Sequence, residues 1–570
     1  MLSIKRVAQI IFLALAVFSI SSPAAAQERL CDPAYEDCRT PLLNLIRNET
    51  VGIDVAFWFM EDSRYATELI RRHNAGVPIR VIIDPRANST YPFNATMLND
   101  LAAAGIPMRK RVNDGIMHMK MMMFVGQNML EFSGANYSPD AFKPDTPFVN
   151  YIDEAIYFTD DSNVINSFKT KFDDMWTNTT VYANYANITG PLVRKYPTFP
   201  IDPELNFPPE NSFAGRTVPR YDAETTKIDV MMFRITDARH PDAMIRAHNR
   251  GVQVRIITEP EQYREPKYLW HSYNVDRMYA AGVSIKHRKH LGLHHQKSVI
   301  LYSQGMVIFG SSNWTSASSN SQQEHNYFTR KAWFFTWFVN QFEQKWNSSA
   351  EFEDFVPEPP DRPVYSLPAD QSLGQPATVT LTWQGGPWAH RYDIYLGTSS
   401  TNLQLIASNV QTGSPTGTTK ETYTLSGLTQ GTTYFWKVVS KTMANVTREG
   451  NVWSFTTAGT APVPPAPTNL AASAASTHQI DLSWTDVSDD DGYKVERSLN
   501  GTSGWTQVGT TAANVVTFQD QALTAGTTYF YRVRAFNASG NGPYSNTANA
   551  TTQDVPQPSS GDVVMYASEA

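Results

Sequence analysis

His295, Lys297 and Asn313, in the stretch HQKSVILYSQGMVIFGSSN (295–313), are residue types that do chemistry together. An imidazole attacks an electrophile or moves a proton, an ammonium supplies fixed positive charge, and a carboxamide donates hydrogen bonds. The same three types recur as His118, Lys120 and Asn136, and one offset of 177 relates all three pairs. A single His-x-Lys is commonplace on a solvated strand. Two copies in register, each followed by a returning asparagine, point to a functional site.

A hairpin must position each set. Val299, Ile300, Leu301 and then Met306 to Phe309 flank a polar turn at Ser303, Gln304 and Gly305, so a hairpin centred on Gln304 brings Asn313 beside His295. Strand period two puts Lys297 on the same face as His295. Around Gly126, Gln127 and Asn128 the pattern repeats, with His118 and Asn136 symmetric about Gln127. Upstream come a strand at 53–59, a helix at Ser63–Asn74 stopped by Gly76, a strand at 78–85, a helix at 95–104 stopped by Gly105, and the strand IPMRKRV. This order predicts an α/β unit with a mostly parallel sheet. The second half repeats it: RAHNRGVQVRIITEP (246–260) matches RRHNAGVPIRVIIDP (71–85), and AAGVSIKHR (280–288) matches AAGIPMRKR (103–111), at offsets of 175 and 177. Two such units are expected to pack about a pseudo-two-fold axis with their hairpins facing.

Beyond about Phe355 the chain becomes rich in Thr, Ser, Val and Tyr, with period-two alternation and no useful helical stretch. Trp383 and LSGLTQGTTYFWKV (425–438) are echoed by Trp484 and DQALTAGTTYFYRV (520–533). An early-strand tryptophan and a Leu-x-x-Gly-Thr-x-Tyr corner resemble fibronectin type III modules, which are all-β sandwiches. At the other end, Lys5, Arg6, an apolar run from Ile10 to Ile20 and Ala24 to Ala26 read as a cleavable secretory signal, too short to span a membrane. The mature chain is expected to be secreted or periplasmic, without a transmembrane segment. Cys31 and Cys38, the only cysteines, are expected to form a short-loop disulfide there rather than two free thiols. The expected organisation is a signal peptide at 1–26, α/β halves at 27–205 and 206–355, a Pro-rich linker at 356–368, and a sandwich at 369–458. A linker at 459–468, a second sandwich at 469–553 and a tail at 554–570, read as the start of a further module, complete it.

Two H-x-K strings, each with a Gly- and Asn-containing return and a downstream Glu, resemble the phospholipase D superfamily, whose signature is H-x-K-x(4)-D with a later G-S-x-N. The resemblance covers about Ile53 to Trp346 and implies two pseudo-symmetric α/β units sharing one active site, followed by the two all-β sandwiches. It implies His118 as nucleophile forming a phosphohistidine, with His295 as general acid and then as base for water. Lys120, Lys297, Asn136 and Asn313 would hold the non-bridging oxygens, and Gly134, Gly310 and Ser311 would contact substrate. Glu324, eleven residues after Asn313, would set an imidazole tautomer; its first-half counterpart is Glu154, with Asp153 the second choice, since the spacing there is eighteen. The sequence departs from the signature where the aspartates would fall, at Val125 and Tyr302, and Ala135 stands where the family has serine.

The resemblance implies a metal-independent phosphodiesterase that needs no cofactor. The nearby His287, His290, His294 and His295 suggest a metal site, but no carboxylate or cysteine falls at ligand spacing with them, so none is expected. His73 and His248 end helices and read as packing and capping groups, and the methionines from Met117 to Met123 as strand packing. Phospholipid headgroup cleavage is the first substrate reading. A DNA or RNA substrate is the second, favoured by Arg109, Lys110, Arg111 and Lys286, His287, Arg288, Lys289, although the net charge of −7 argues against a generally basic coat. A catalytically weak or silent adhesion protein, with the sandwiches contacting a cell surface or polysaccharide, is the third.

Overall fold

The computed structural model describes residues 28–460 and 462–556, so the expected signal segment and most of the expected tail lie outside the described residues. One compact unit runs to Asp361, takes in 387–390 and 441–447 as well, and holds both α/β halves, while the rest of the sandwich region falls in the other.

Each half is built on an eight-stranded sheet, and the two sheets have the same strand order. In the first, the order is Arg29–Cys31, Ile156–Thr159, Met129–Ser133, Met121–Phe124, Ile53–Ala56, Ile79–Ile83, Met108–Arg111 and Tyr182–Ala186. The expectation of a mostly parallel sheet is corrected. Only Ile53–Ala56, Ile79–Ile83 and Met108–Arg111 pair in parallel, because only these are joined by helical crossovers; hairpins and edge returns make the remaining pairings antiparallel. The helix Ser63–Asn74 follows its sequence signals: Asp62 accepts the Arg64 N–H as N-cap, Tyr65, Ala66 and Leu69 are buried, and Gly76 turns the chain at φ +88°.

Three apolar layers hold the unit together. Outer helices cover one face of each sheet, and the inner faces meet in a core shared by both halves. Phe132 lies 5.8 Å from Phe309, and the helices Ser162–Thr177 and Ala332–Asn347 fill the space with Phe168, Phe172, Phe334, Phe338 and Phe342. Met117, Met119, Met121 and Met123 belong to this shared core. Each fully buried large apolar side chain contributes roughly 1.5–3 kcal/mol, so the shared layer gives the halves a strong reason to stay docked. A two-stranded parallel ladder between Asn150–Asp153 and Leu291–His294 joins them directly.

The motif hairpins close differently from the expectation. Phe124 pairs with Met129 and Leu301 with Met306, leaving four-residue turns whose Asn128 and Gly305 adopt φ of +50° and +55°. This register sets position 135, not 136, across from His118, and 312, not 313, across from His295. Both histidines lie beyond their ladders. The turns that lack the signature aspartates are tied instead by repeat-related carboxylates: Glu49 accepts the N–H groups of Val51 (2.7 Å) and Gly126 (2.8 Å), and Glu224 accepts that of Ser303 (2.8 Å). Burial pushes the Glu49 pKa up, but these N–H groups outweigh it and hold it below its ordinary value. Glu49→Ala is therefore expected to destabilise the unit by about 2–3 kcal/mol at neutral pH. Its contribution is present above the ordinary carboxylate pKa and lost as pH falls through the lowered one, so wild type and variant should converge in acid, measured by urea unfolding.

The disulfide joins Cys31 and Cys38, both buried in the first half. Residues 364–551 form two sandwiches. In the first, Val364–Leu367, Val379–Gln384 and Lys420–Leu425 make one sheet and a five-stranded sheet makes the other. Because Val364–Leu367 pairs with Val379–Gln384, the expected linker at 356–368 is corrected: its last part is a strand bounded by Pro363 and Pro368. Leu205–Asn206 likewise pairs with Asn326–Thr329, so the second sheet starts just before the expected boundary at 206. Trp383 packs on Tyr392 and Trp484 on Tyr493, and the hydroxyls of Tyr434 and Tyr529 accept the N–H of Thr429 and Thr524, each at 3.0 Å.

Candidate active site

Each motif histidine is held by the opposite half. The His118 N–H donates to the Gln323 carbonyl (2.9 Å), and its Nδ1 lies 2.8 Å from Glu324 Oε2. The His295 N–H donates to the Asp153 carbonyl (3.2 Å), and its Nδ1 is bonded to Glu154 Oε1. With Nδ1–H on a carboxylate, Nε2 is the free ring nitrogen in each case. Glu154 is thus the partner, and the second choice, Asp153, does something else: it accepts from His290 Nε2 (2.9 Å), His294 Nδ1 (3.1 Å) and the buried Lys345.

His118, His295, Asn136 and Asn313 all line one cavity of about 230 Å³. The Oδ1 atoms of both asparagines are buried without a hydrogen-bond partner among the described residues. An adjoining cavity of about 250 Å³ shares Tyr91, Asn136, Phe233, Arg234 and His295, and adds Phe59, Leu293, Glu61 and Asp140. A cleft of about 560 Å³ beside Arg111 and Lys171 contains none of the motif residues.

Burial governs the protonation of the site. It lowers the His118 pKa to about 4, although Glu324 opposes it, so this imidazole is neutral at pH 7. Burial also pushes Glu154 up to about 8, despite Lys297 and Lys120, and burial with the same two lysines pushes His295 well down. The Glu154–His295 pair therefore keeps a proton through neutral pH. Lys297 is lowered to about 8 by burial.

The lysines are not on the cavity wall. Lys120 Nζ donates to the His118 carbonyl (2.6 Å) and Lys297 Nζ to that of His295, which sets both ammonium groups behind the imidazoles. The substrate-contact expectation for Gly134, Gly310 and Ser311 is corrected. Ser311 is fully buried and its hydroxyl donates to Glu324 Oε2 (2.6 Å), steadying the carboxylate rather than touching the cavity. A Cβ on Gly310 would lie 2.2 Å from the His325 carbonyl, and one on Gly134 would lie 2.8 Å from Glu154 Oε2, so Gly134 makes room for the Glu154 carboxylate and Gly310 for the backbone at His325 and Asn326. The offset of 177 relates Gly134 to Ser311, so Gly134, not Ala135, stands at the serine position.

The four neighbouring histidines diverge. His290 and His294 turn to Asp153, a carboxylate brought from the other half that local spacing could not show, and His287 packs against Tyr263 and Phe355. His73 and His248 end their helices outside the site. The basic tracts are largely committed: Arg109 donates to the carbonyls of Trp176 and Tyr182, Arg111 to those of Gly115 (2.9 Å) and Ser321 (2.8 Å), Lys286 to that of Trp346 (2.9 Å), and Arg288 pairs with Glu259 (2.7 Å). Residues missed from sequence are the cavity walls Trp58, Phe233, Tyr91 and Tyr268, and Arg234. A signal existed for the aromatic ones, since the repeat offsets relate Trp58 to Phe233 and Tyr91 to Tyr268.

Fold and site together define a phospholipase D-like α/β domain made of two units, followed by an all-β fibronectin type III region. Residues 42–176 and 222–346 match the family model described as "Cardiolipin synthase, PLD-like domain", and residues 465–551 match "Fibronectin type III domain". Over 192 residues the chain is 34% identical to Chitinase A1 of Niallia circulans, covering 32% of this chain and 25% of that protein. Over 123 residues it is 26% identical to the mitochondrial cardiolipin hydrolase of Chlamydomonas reinhardtii, covering 22% of this chain and 52% of that protein. The chain thus spans a quarter of the one and about half of the other. Among solved structures, Nuc from Salmonella typhimurium, a phospholipase D family member, aligns with 26% of this chain and 95% of its own at 20% identity and a TM-score of 0.24.

Proposed function

We propose that this chain hydrolyses a lipid phosphodiester through a phosphohistidine intermediate, without a metal. The carrying observation is that two imidazoles, each with Nδ1 on a carboxylate of the opposite half, face one cavity. His118, neutral at pH 7, attacks phosphorus through Nε2, forming the N–P bond as the bond from phosphorus to the leaving oxygen breaks. The Glu154–His295 pair delivers its proton to that oxygen, leaving as an alcohol. Water then loses a proton to His295 as its oxygen attacks phosphorus, the N–P bond breaks, and His118 is restored. Asn136 and Asn313 steady the phosphoryl oxygens, and Lys120 and Lys297 add positive charge from behind the imidazoles.

Lipid is favoured over nucleic acid because Phe59, Tyr91, Phe233 and Leu293 give the cleft an apolar wall, and the basic tracts that would follow a polynucleotide are already bonded internally. The disulfide suits an oxidising compartment, which supports export, and no helix among the described residues is long and apolar enough to cross a membrane. The sandwiches are read as modules that contact a cell surface or polysaccharide. Purified protein should release headgroup from labelled phospholipid vesicles and p-nitrophenol from a chromogenic diester, with EDTA present throughout, and leave a plasmid intact. Cleavage of the plasmid alone would transfer the reading to a nuclease; silence on all three would leave a binding protein.

The protonation pattern sets a pH profile. The rate should rise through about pH 4 as His118 loses its proton, and fall through about pH 8 as the Glu154–His295 pair and Lys297 lose theirs. Initial rates on the chromogenic diester test this, and a rate still climbing well above about pH 8 would contradict the assignment of the pair as the acid.

A further inference from the structure

The duplication supports one histidine differently from the other. The first strand, Arg29–Cys31, sets Cys31 beside Ile156, and its counterpart Leu205–Asn206 sets Asn206 beside Asn326, so Asp32 and Phe207 stand at equivalent places. The helices Ser162–Thr177 and Ala332–Asn347 likewise make Lys171 equivalent to Gln341 and Met175 to Lys345, and Gln323 is equivalent to Asp153. Behind His118 the set is therefore Phe207, Lys171, Met175 and Gln323. Two of these are apolar, and Lys171 pairs outward with the exposed Glu210. Behind His295 the set is Asp32, Gln341, Lys345 and Asp153, and these four connect.

Asp32 Oδ2 accepts from Gln341 Nε2 (2.6 Å) and lies 3.4 Å from Lys345 Nζ. Gln341 Nε2 also donates to the Glu154 carbonyl (3.2 Å), its Oε1 accepts from Gln296 Nε2 (2.9 Å), and Lys345 Nζ reaches Asp153. Asp153 and Glu154 hold the His295 N–H and Nδ1, and Gln296 is its chain neighbour. Through two side chains one helical turn apart, Asp32 thus steadies each residue that orients His295. The loop closed by Cys31 and Cys38 fixes Asp32 in turn. Its Oδ1 accepts the Ala34 N–H (2.9 Å), its carbonyl accepts those of Tyr35 and Glu36 (each 3.1 Å), and the Cys38 N–H donates to the Phe142 carbonyl (2.8 Å). The chemistry explains why one imidazole needs more support. A nucleophile meets phosphorus only, whereas the acid and base must serve the leaving oxygen and then water, and a misplacement of about 1 Å costs roughly a hundredfold.

We infer that Asp32 is a positioning residue for the acid–base step, held in place by the disulfide loop, so that a segment outside both motif hairpins sets His295 and leaves His118 alone. This rests on the hydrolase reading, and a spectroscopic readout separates the two. In the full chain carrying isotopically labelled histidine, the Nδ1–H protons of His118 and His295, each on a carboxylate, should give two downfield magnetic resonance signals. Their loss in His118→Asn and in His295→Asn assigns them. Asp32→Ala and the double variant Cys31→Ser, Cys38→Ser should shift or broaden the His295 signal alone. Asp32→Asn, which keeps an acceptor for Gln341 and drops the charge facing Lys345, should lie between them and wild type. On bis(p-nitrophenyl) phosphate, the first equivalent of p-nitrophenol should leave Asp32→Ala at a rate within about threefold of wild type. The later steady rate should fall about tenfold or more, with labelled phosphoenzyme accumulating. Glu49→Ala, which loosens the fold without touching this network, is the structural control and should show neither change. A His295 signal that stays put in every Asp32 and cysteine variant, equal disturbance of the His118 signal, or equal slowing of both steps would overturn the inference. Selective loss of the His295 signal in a chain that cleaves no diester would sustain it and sink the hydrolase reading instead.

Discussion

His118→Asn is expected to abolish turnover, by a factor on the order of 10⁴ or more, and to abolish phosphoenzyme labelling with it. His295→Asn should behave differently. The nucleophile is intact in that variant, so a diester with an activated leaving group, which needs no protonation, still phosphorylates His118. The second step needs a base for water, and without it labelled enzyme accumulates; the loss on an ordinary lipid should be on the order of 10²- to 10⁴-fold. Rapid quench with a radiolabelled diester separates the two variants, since one is never labelled and the other stays labelled. If the behaviours were exchanged, the neutral imidazole at His118 and the proton-holding pair at Glu154–His295 would have been assigned to the wrong steps.

Lys345→Met should be the most damaging single change outside the site. Lys345 is fully buried, with Nζ bonded to Asp153 and 3.4 Å from Asp32. Although burial pushes the Asp153 pKa up, Lys345, His290 and His294 together hold it well below the usual carboxylate range. Lys345 is itself raised above the ordinary lysine value by those carboxylates, against its burial. The lowered carboxylate stabilises above its unfolded pKa and the raised ammonium below its own, so the network contributes fully across neutral pH. Removing the cation leaves Asp153 and Asp32 buried with hydrogen-bond donors but without the ammonium that both share, at a cost of about 3–5 kcal/mol. Because the Asp153 carbonyl also holds the His295 N–H, turnover should fall even where the variant remains folded. Urea unfolding of the α/β unit and the rate of the folded variant on the chromogenic diester check both statements. A variant with an unchanged midpoint would mean that water reaches Asp153.

The duplication and the histidine, lysine and asparagine sets were legible because chemistry-bearing residues repeat at one fixed spacing. What joins them was not. The hairpin register depends on whether Asn128 and Gly305 accept a left-handed conformation, and that added one residue to each turn relative to the symmetric reading. The pairing of His118 with Glu324 and His295 with Glu154 crosses between halves more than a hundred residues apart in the chain, where no local pattern operates. Ser311 had the right chemistry for a ligand contact but spends its hydroxyl on Glu324. The Arg and Lys tracts looked like free rims because a sequence does not show which backbone carbonyls will meet them.

The exchange of carboxylates between the halves is the contact pattern of a symmetric homodimer, in which each copy completes its neighbour. Here it is folded into one polypeptide. Neither half contains a finished imidazole–carboxylate pair, so a severed half should be inert, and mixing the two pieces should restore what each lacks. The linker between them makes a concentration-dependent partnership permanent, and it frees the copies to diverge while still sharing one phosphorus.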